Sequence, residues 1–315
     1  MTPPTASAAL QTTAPTVGAA VGWRAVLAAY VNLTKPRIIE LLLITTVPAM
    51  FLAAGGVPPL GLVAVTMVGG YFAAGSANCF NNVLDRDIDL AMRRTRTRAL
   101  PRHRVEPRSA AIFATVLGVL ATLILGFGAN WLSAGLALAA NAFYVLVYTM
   151  LLKRRTSQNI IWGGIAGCFP PLIGWTAVTG SVAWTPFVLF AIVFFWTPPH
   201  TWALAWRYRE DYAAGGVPML PVVKGAREVS WQILIYTVVT VAVSLLLWPV
   251  AGTGWLYPAA AGLAGIWFTV EAVALLRRAY AGADDVAAKP MRLFHASNTY
   301  LALVFLAAAV DPLIF

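Results

Sequence analysis

Acidic charge is scarce in this sequence, with 12 Asp and Glu against 22 Lys and Arg in 315 residues, and charge of either sign makes up only 11% of the chain. With 60% hydrophobic residues and a mean hydropathy of +0.75, the composition excludes an ordinary water-soluble domain and makes a bilayer the natural solvent. Cysteine is nearly missing. Cys79 and Cys168 stand without CxxC spacing or a nearby His pair, which argues against a zinc or redox site and leaves them as small packing residues. No Lys or Arg precedes Arg24. The start of the chain therefore has neither the early positive charge of a secretory signal nor the Arg content of a transit peptide. A bacterial plasma membrane is the expected location, and residues 1–22, rich in Thr, Ala and Pro, are expected to be disordered.

Long stretches lack charge altogether. Residues 41–84, 109–152 and 156–206 contain no Asp, Glu, Lys or Arg, and 229–276 contains only Glu271. A spanning helix needs roughly 20 apolar residues, so each window has room for two, and each breaks near its middle at a turn signal: Gly55-Gly56-Val57-Pro58-Pro59, Gly128 to Asn130, Thr179-Gly180-Ser181 and Gly252-Thr253-Gly254. With a last helix over 293–315, the expected fold is an all-α integral membrane protein of nine spans around a central cavity. The loops after spans 1, 3, 5 and 7 have no basic residue, and all 22 fall in the N-terminal segment or after spans 2, 4, 6 and 8. Basic loops stay on the cytoplasmic side, so the N-terminus is expected inside and the C-terminus outside. The net charge of +10 then reflects topology and anionic headgroups, and nucleic acid is a poor partner because the basic loops flank spans.

At the cytoplasmic end of the second span the chain reads Asn81-Asn82-Val83-Leu84-Asp85-Arg86-Asp87-Ile88-Asp89. On a continuing helix, Asn81, Asp85 and Asp89 form one polar stripe. Two carboxylates about 6 Å apart repel by ~0.7 kcal/mol in water and nearly ~3 kcal/mol at an effective dielectric of about 20. A hard divalent cation with oxygen ligands, Mg2+ above all, answers that repulsion. A solvated helix end paired with neighbouring Arg residues is the plainer reading, and it is preferred for Asp87. Arg93, Arg94, Arg96, Arg98, Arg102, Arg104 and Arg108 follow. Some could close over a diphosphate, while the outer ones suit headgroup contact and topology. A second polar cluster, Arg207-Tyr208-Arg209-Glu210-Asp211-Tyr212, follows the sixth span. The two clusters occupy equivalent places in two four-helix halves, about 36–155 and 156–277, of one membrane domain spanning 23–315.

These residues carry a resemblance. The chain resembles the UbiA superfamily of intramembrane prenyltransferases, and within it the haem-modifying branch, from Leu33 onward. The superfamily's Asn-x3-Asp-x3-Asp signature is met by Asn81, Asp85 and Asp89. Further matching stretches are Leu33-Thr34-Lys35-Pro36-Arg37, Lys153-Arg154-Arg155-Thr156-Ser157-Gln158-Asn159, Trp196-Thr197-Pro198-Pro199-His200, and Asp211-Tyr212 leading to Gly216-Val217-Pro218-Met219-Leu220-Pro221. Arg207 stands where many members have the first Asp of a second pair, a departure that points to the haem branch, and Ala99 replaces a usual Pro.

The resemblance implies farnesyl diphosphate and haem b as substrates, Mg2+ as metal, haem O and diphosphate as products, and a haem A synthase as a downstream partner. It implies that Asn81, Asp85, Asp89 and Asp211 hold the metal and that Arg86, Lys153 and Arg154 contact diphosphate, with Lys35, Arg37 and Arg207 as further candidates. His200 becomes a haem ligand or contact with Trp196 beside it, and His103 or His295 could serve instead. Trp196, Trp202 and Trp206 could shield a cation or anchor helices at the interface. Glu40 and Glu271, buried by position, could pair with basic residues or line the cavity. Two rivals stand beside this reading: a UbiA-type enzyme acting on an aromatic quinone precursor, and a haem-binding transporter or assembly factor without chemistry.

Overall fold

The computed structural model describes residues 22–102 and 105–315, and of Arg37, Ile38, Leu41 and Leu42 only the backbone. The segment expected to be disordered, apart from Gly22, and His103 in the basic loop lie outside the described residues. Among the described residues all regular structure is helical. In order, the helices are α1 (Trp23–Thr34), α2 (Pro36–Ala54), α3 (Leu60–Leu84), α4 (Arg86–Ala91), α5 (Pro107–Gly128), α6 (Trp131–Ala142), α7 (Asn159–Gly163), α8 (Phe169–Thr179), α9 (Trp184–Arg207), α10 (Arg209–Ala214), α11 (Leu220–Val223), α12 (Ala226–Ala251), α13 (Leu256–Tyr280) and α14 (Pro290–Ile314). A π-helical stretch, Phe143–Leu152, extends α6, and a 3-10 turn, Gly164–Cys168, joins α7 to α8.

Each turn signal in the charge-poor windows falls between two helices. Asn130 shows why locally: its side chain accepts the Ser133 N–H at 2.9 Å and caps α6. Among the described residues eight helices are long and apolar enough to cross a membrane. The expected ninth is α2, 19 residues from Pro36 to Ala54, of which Leu43–Ala54 is an apolar stretch. Large apolar side chains such as Phe127, Trp184 and Leu263 are exposed on the outside, as lipid contact requires and water would penalise. Cys79 and Cys168 are buried free thiols, as their reading as packing residues requires.

Packing brings four helices into a closed ring: α2 lies against α8, α8 against α9, α9 against α14, and α14 against α2. The α2–α8 crossing is close because Gly174 stands where any Cβ would run into the Thr46 carbonyl. Around this ring, α3 packs along α5 and α12 along α9 and α13. The far end of α14 is fixed by Asp311, whose buried carboxylate accepts the backbone N–H groups of Gly254 and Tyr257 in the turn between α12 and α13. The short helices α1, α4, α10 and α11 were not foreseen in the sequence. They are too short to span, and all but α1 lie between spans on the side that carries the basic loops.

Candidate active site

The joint between α3 and α4 sets the centre of the site. Asp85 leaves the helical region (φ −96°, ψ 12°), yet its N–H still bonds to the Asn81 carbonyl at 2.9 Å and its carbonyl takes the Asp89 N–H at 2.8 Å. The stripe expected from the spacing therefore persists across a bend. Asn81, Asp85 and Asp89 are all buried. Asn81 donates to Asp85 Oδ2 at 2.6 Å and to Thr149 Oγ1 at 3.2 Å. Asn78 and Asn82, on the same helix, donate to the Thr34 and Leu33 carbonyls at 2.8 and 2.9 Å. They satisfy carbonyls that the end of α1 leaves open and hold the next residue in place.

That next residue is Lys35, which has a positive φ of 56° just before Pro36 opens α2. A non-glycine residue held there costs about 1–2 kcal/mol. The turn aims the ammonium inward, where it donates to Asn81 Oδ1 at 2.7 Å. Withdrawal from water, then the positive charges of Arg98 and Lys153, push the Lys35 ammonium down to about 7, while Asp89 and Asp85 pull the other way. Lys35, Lys153, Arg98 and both carboxylates thus share one electrostatic neighbourhood.

Lys153 reaches Asp85 because of the π-helical stretch. In an α-helical register Leu152 would follow Tyr144 and Tyr148 on one face. The wider turn, closed by the Lys153 N–H on the Tyr148 carbonyl at 2.9 Å, brings Lys153 there instead. Its ammonium is in direct contact with Asp85 Oδ2. Gly163 makes room for the bulge, since a Cβ there would enter the Tyr148 ring. Arg154 grips Asp87 with two bonds of 2.6 and 2.7 Å, which hold that carboxyl down at about 2, and lies 3.8 Å from Asp85 Oδ1. The pairing read for Asp87 in the sequence is what is found.

The basic loop closes the other side. Arg98 Nη1 lies 2.9 Å from both oxygens of Asp89. Arg93 reaches Asp211 at 3.2 Å and Glu210 at 2.8 Å, and the Arg94 N–H donates to Asp211 Oδ2 at 3.2 Å. One loop therefore joins the α4 carboxylate to Asp211 on α10. Arg86 and Arg207 are exposed, and among the described residues neither forms an ion pair. The Arg37 side chain lies outside what is described.

Each carboxylate of the group faces a basic side chain, and among the described residues no cluster of three or more His, Cys, Asp or Glu could hold a metal ion. The oxygen donors do suit a hard cation. Asp85 Oδ1 in particular is buried without a hydrogen-bond donor, a position that calls for a positive partner.

Two cavities lie within the bundle, and both are lined by Tyr144, whose carbonyl accepts the Thr149 hydroxyl that Asn81 contacts. One, of about 190 Å3, runs between α2, α3, α6 and α8 and is walled by small residues, among them Gly70, Ala73, Ala77, Ala137 and Ala140, with Asn78 and Tyr144 also in its lining. The other, of about 330 Å3, lies between α2, the π-helical stretch, α7, α9 and α14, with Tyr148, Trp196, Thr197 and Thr201 in its wall. Tyr144 and Gly167 line both. Trp202 and Trp206 are buried in the core instead, Trp206 donating to Asp285 at 2.9 Å. His295 is exposed, and His200 stacks on Trp196. Glu40 is exposed, contrary to its burial by position: it stands on an outer face of α2, where its carboxylate keeps the hydration that burial would remove. Glu271 is buried and paired with Arg292 at 2.6 Å.

Sequence reasoning singled out the stripe, Lys35, Lys153, Arg154 and Asp211: direct contacts join Lys35, Asn81, Asp85, Lys153 and Arg154, while the basic loop holds Asp89 through Arg98 and Asp211 through Arg93 and Arg94. It missed Thr149 and Tyr144, which depend on the π-helical register, and it did not separate Arg98 from its neighbours in the loop. The run Asn78, Asn81 and Asn82 was the available signal for the α1 anchor.

A buried carboxylate and amide stripe ringed by basic groups is joined by hydrogen bonds through Thr149 to Tyr144 in the wall of two mainly apolar cavities, an arrangement that suits an anionic headgroup on an apolar tail. Residues 42–298 match the UbiA prenyltransferase family, and the chain belongs to that family. It is 72% identical to a protoheme IX farnesyltransferase of Cutibacterium acnes, over 92% of this chain and 86% of that one, and 66% identical to a protoheme IX farnesyltransferase of Nocardioides sp., over 92% of each. The fold is shared with the structure of a digeranylgeranylglyceryl phosphate synthase (TM-score 0.75, 18% identity, 92% and 99% covered). It is also shared with that of a UbiA homologue from Archaeoglobus fulgidus bound to DMAPP and Mg2+ (TM-score 0.66, 16% identity, 89% and 99% covered).

Proposed function

We propose that this protein transfers the farnesyl group of farnesyl diphosphate to a vinyl group of haem b, with addition of water, giving haem O and diphosphate. The observation that carries the reaction type is the buried Asn81–Asp85–Asp89 group, which hydrogen bonds through Thr149 link to Tyr144 in the wall of two membrane cavities, and the identity to protoheme IX farnesyltransferases carries the acceptor. The farnesyl C1–O bond breaks with its electron pair leaving on diphosphate, and the vinyl π pair forms the new C–C bond. Water then captures the resulting benzylic-like cation and loses a proton.

Asn81, Asp85, Asp89 and Asp211 are the residues that would hold Mg2+, which supplies charge neutralisation for the departing diphosphate. Lys35, Lys153, Arg154 and Arg98 offer cationic donors to the diphosphate oxygens, and Arg86, Arg37 and Arg207 are outer candidates. The small-residue cavity takes the farnesyl tail. Tyr144, common to both cavities, turns a ring toward the place where the allylic cation meets its acceptor. The Trp196 cavity takes haem b, and a haem A synthase would consume the product. In the membrane, the basic loops put the site on the cytoplasmic side of a bacterial plasma membrane. Nine crossings in two four-helix halves, about 36–155 and 156–277, plus the last helix, leave the C-terminus outside.

The test is competition. Purified protein given labelled farnesyl diphosphate with equal haem b and 4-hydroxybenzoate is expected to label haem and release diphosphate. Label on the benzoate would favour the quinone-precursor reading, and haem binding without diphosphate release would favour the carrier. Chelation of divalent metal is expected to stop release and added Mg2+ to restore it. Ala73→Leu, which fills the small-residue cavity, is expected to move preference from farnesyl toward geranyl diphosphate by about tenfold, measured as the ratio of kcat/KM values. An unchanged ratio would take the tail out of that cavity.

A further inference from the structure

Phe294, His200 and Trp196 form a column of three stacked rings between α14 and α9. The Phe294 and His200 ring centres lie 4.5 Å apart at 28°, and those of His200 and Trp196 lie 4.2 Å apart at 21°. An imidazole is too small to stack two rings on one face, so both of its faces are covered. Its Nδ1 edge meets Ser297 Oγ at 2.9 Å. Because that hydroxyl donates to the Phe294 carbonyl at 2.7 Å, it accepts from the imidazole N–H. Ser297 also fixes the indole, whose Nε1–H donates to the Ser297 carbonyl at 2.7 Å. Of the three rings only Trp196 lines the roomier cavity. The orientation of the indole is thus set three ways, by a ring behind it, a hydrogen bond at its edge and burial, and it contributes to the wall of the cavity.

We propose that Trp196 is the surface on which the planar macrocycle of the acceptor stacks, and that His200 is a positioning residue that holds the indole from behind and is not a ligand to the haem iron. This rests on the reading that haem b is the acceptor. A large flat aromatic is the ligand that an indole lining a cavity at the end of a stacked column recognises best. Such recognition is indifferent to the metal at the centre of the ring.

Two measurements test it. Metal-free protoporphyrin IX is expected to inhibit the wild-type protein competitively against haem b, with an inhibition constant within about threefold of the haem affinity, since stacking accounts for the binding. Among variants, His200→Ala is expected to raise KM for haem b about tenfold while KM for farnesyl diphosphate stays within about twofold, and His200→Phe, which restores the stack without a ligand nitrogen, is expected to recover most of that loss. Protoporphyrin IX binding more than about tenfold more weakly than haem b, or a His200→Phe protein as impaired as His200→Ala, would overturn the positioning role in favour of iron ligation. If the variants do not fold, the porphyrin comparison on the wild type decides alone. A Trp196→Ala protein with unchanged affinity for both porphyrins would remove the stacking surface. Failure of the wild type to bind either porphyrin would instead sink the reading of haem b as acceptor.

Discussion

Asp85→Asn is expected to lower turnover by roughly a thousandfold or more while the protein remains folded in detergent, because the substitution keeps shape and removes the charge that the site is organised around. Asp85 is the most connected of the carboxylates. It touches Asn81, faces Lys153 and Arg154, and keeps one buried oxygen without a donor. An amide can still accept from Asn81 and Lys153, so the surrounding contacts have partners. What it loses is the capacity to neutralise a cation. Steady-state rates with saturating farnesyl diphosphate and haem b, alongside a thermal melt, check both halves of the expectation. Activity near that of the wild type would remove Asp85 from the chemistry.

Lys153→Met is expected to act on stability as well as rate. Lys153 is only 15% exposed and Asp85 1%, so the variant leaves a buried carboxylate whose nearest remaining cation is Arg154 at 3.8 Å. Stranding one member of a buried pair costs about 3–5 kcal/mol, and the melting midpoint is expected to fall by several degrees. The double substitution Asp85→Asn with Lys153→Met removes both charges and is expected to recover most of that midpoint, because an uncharged pair no longer strands a charge. Turnover stays lost in both. A single Lys153→Met protein as stable as the wild type would mean that the ion pair contributes little and that the π-helical stretch has another cause.

That stretch also marks the limit of what the sequence reveals. Hydropathy and turn residues locate each interhelical break, because lipid and backbone hydrogen bonding leave few alternatives. The stripe at Asn81, Asp85 and Asp89 is legible because its spacing follows a helical turn even across the bend at Asp85. Lys153, by contrast, is one residue out of α-helical register with Tyr144 and Tyr148, and only the extra residue in the turn explains how it meets Asp85. The left-handed turn at Lys35 is equally hidden, since a Lys before Pro reads as an ordinary helix start. The column through His200 depends on Phe294 and Ser297, nearly a hundred residues away, and no local pattern joins them.

The central claim is that one site takes both a prenyl diphosphate and haem b and joins them with water. A single-turnover reaction of purified protein with farnesyl diphosphate and haem b in 18O-labelled water, read by mass spectrometry, tests it most directly. The account predicts a haem heavier by one farnesyl group and one labelled hydroxyl, with one diphosphate released per haem converted. Haem b recovered unaltered while diphosphate is released, or a farnesylated haem without the label, would contradict it.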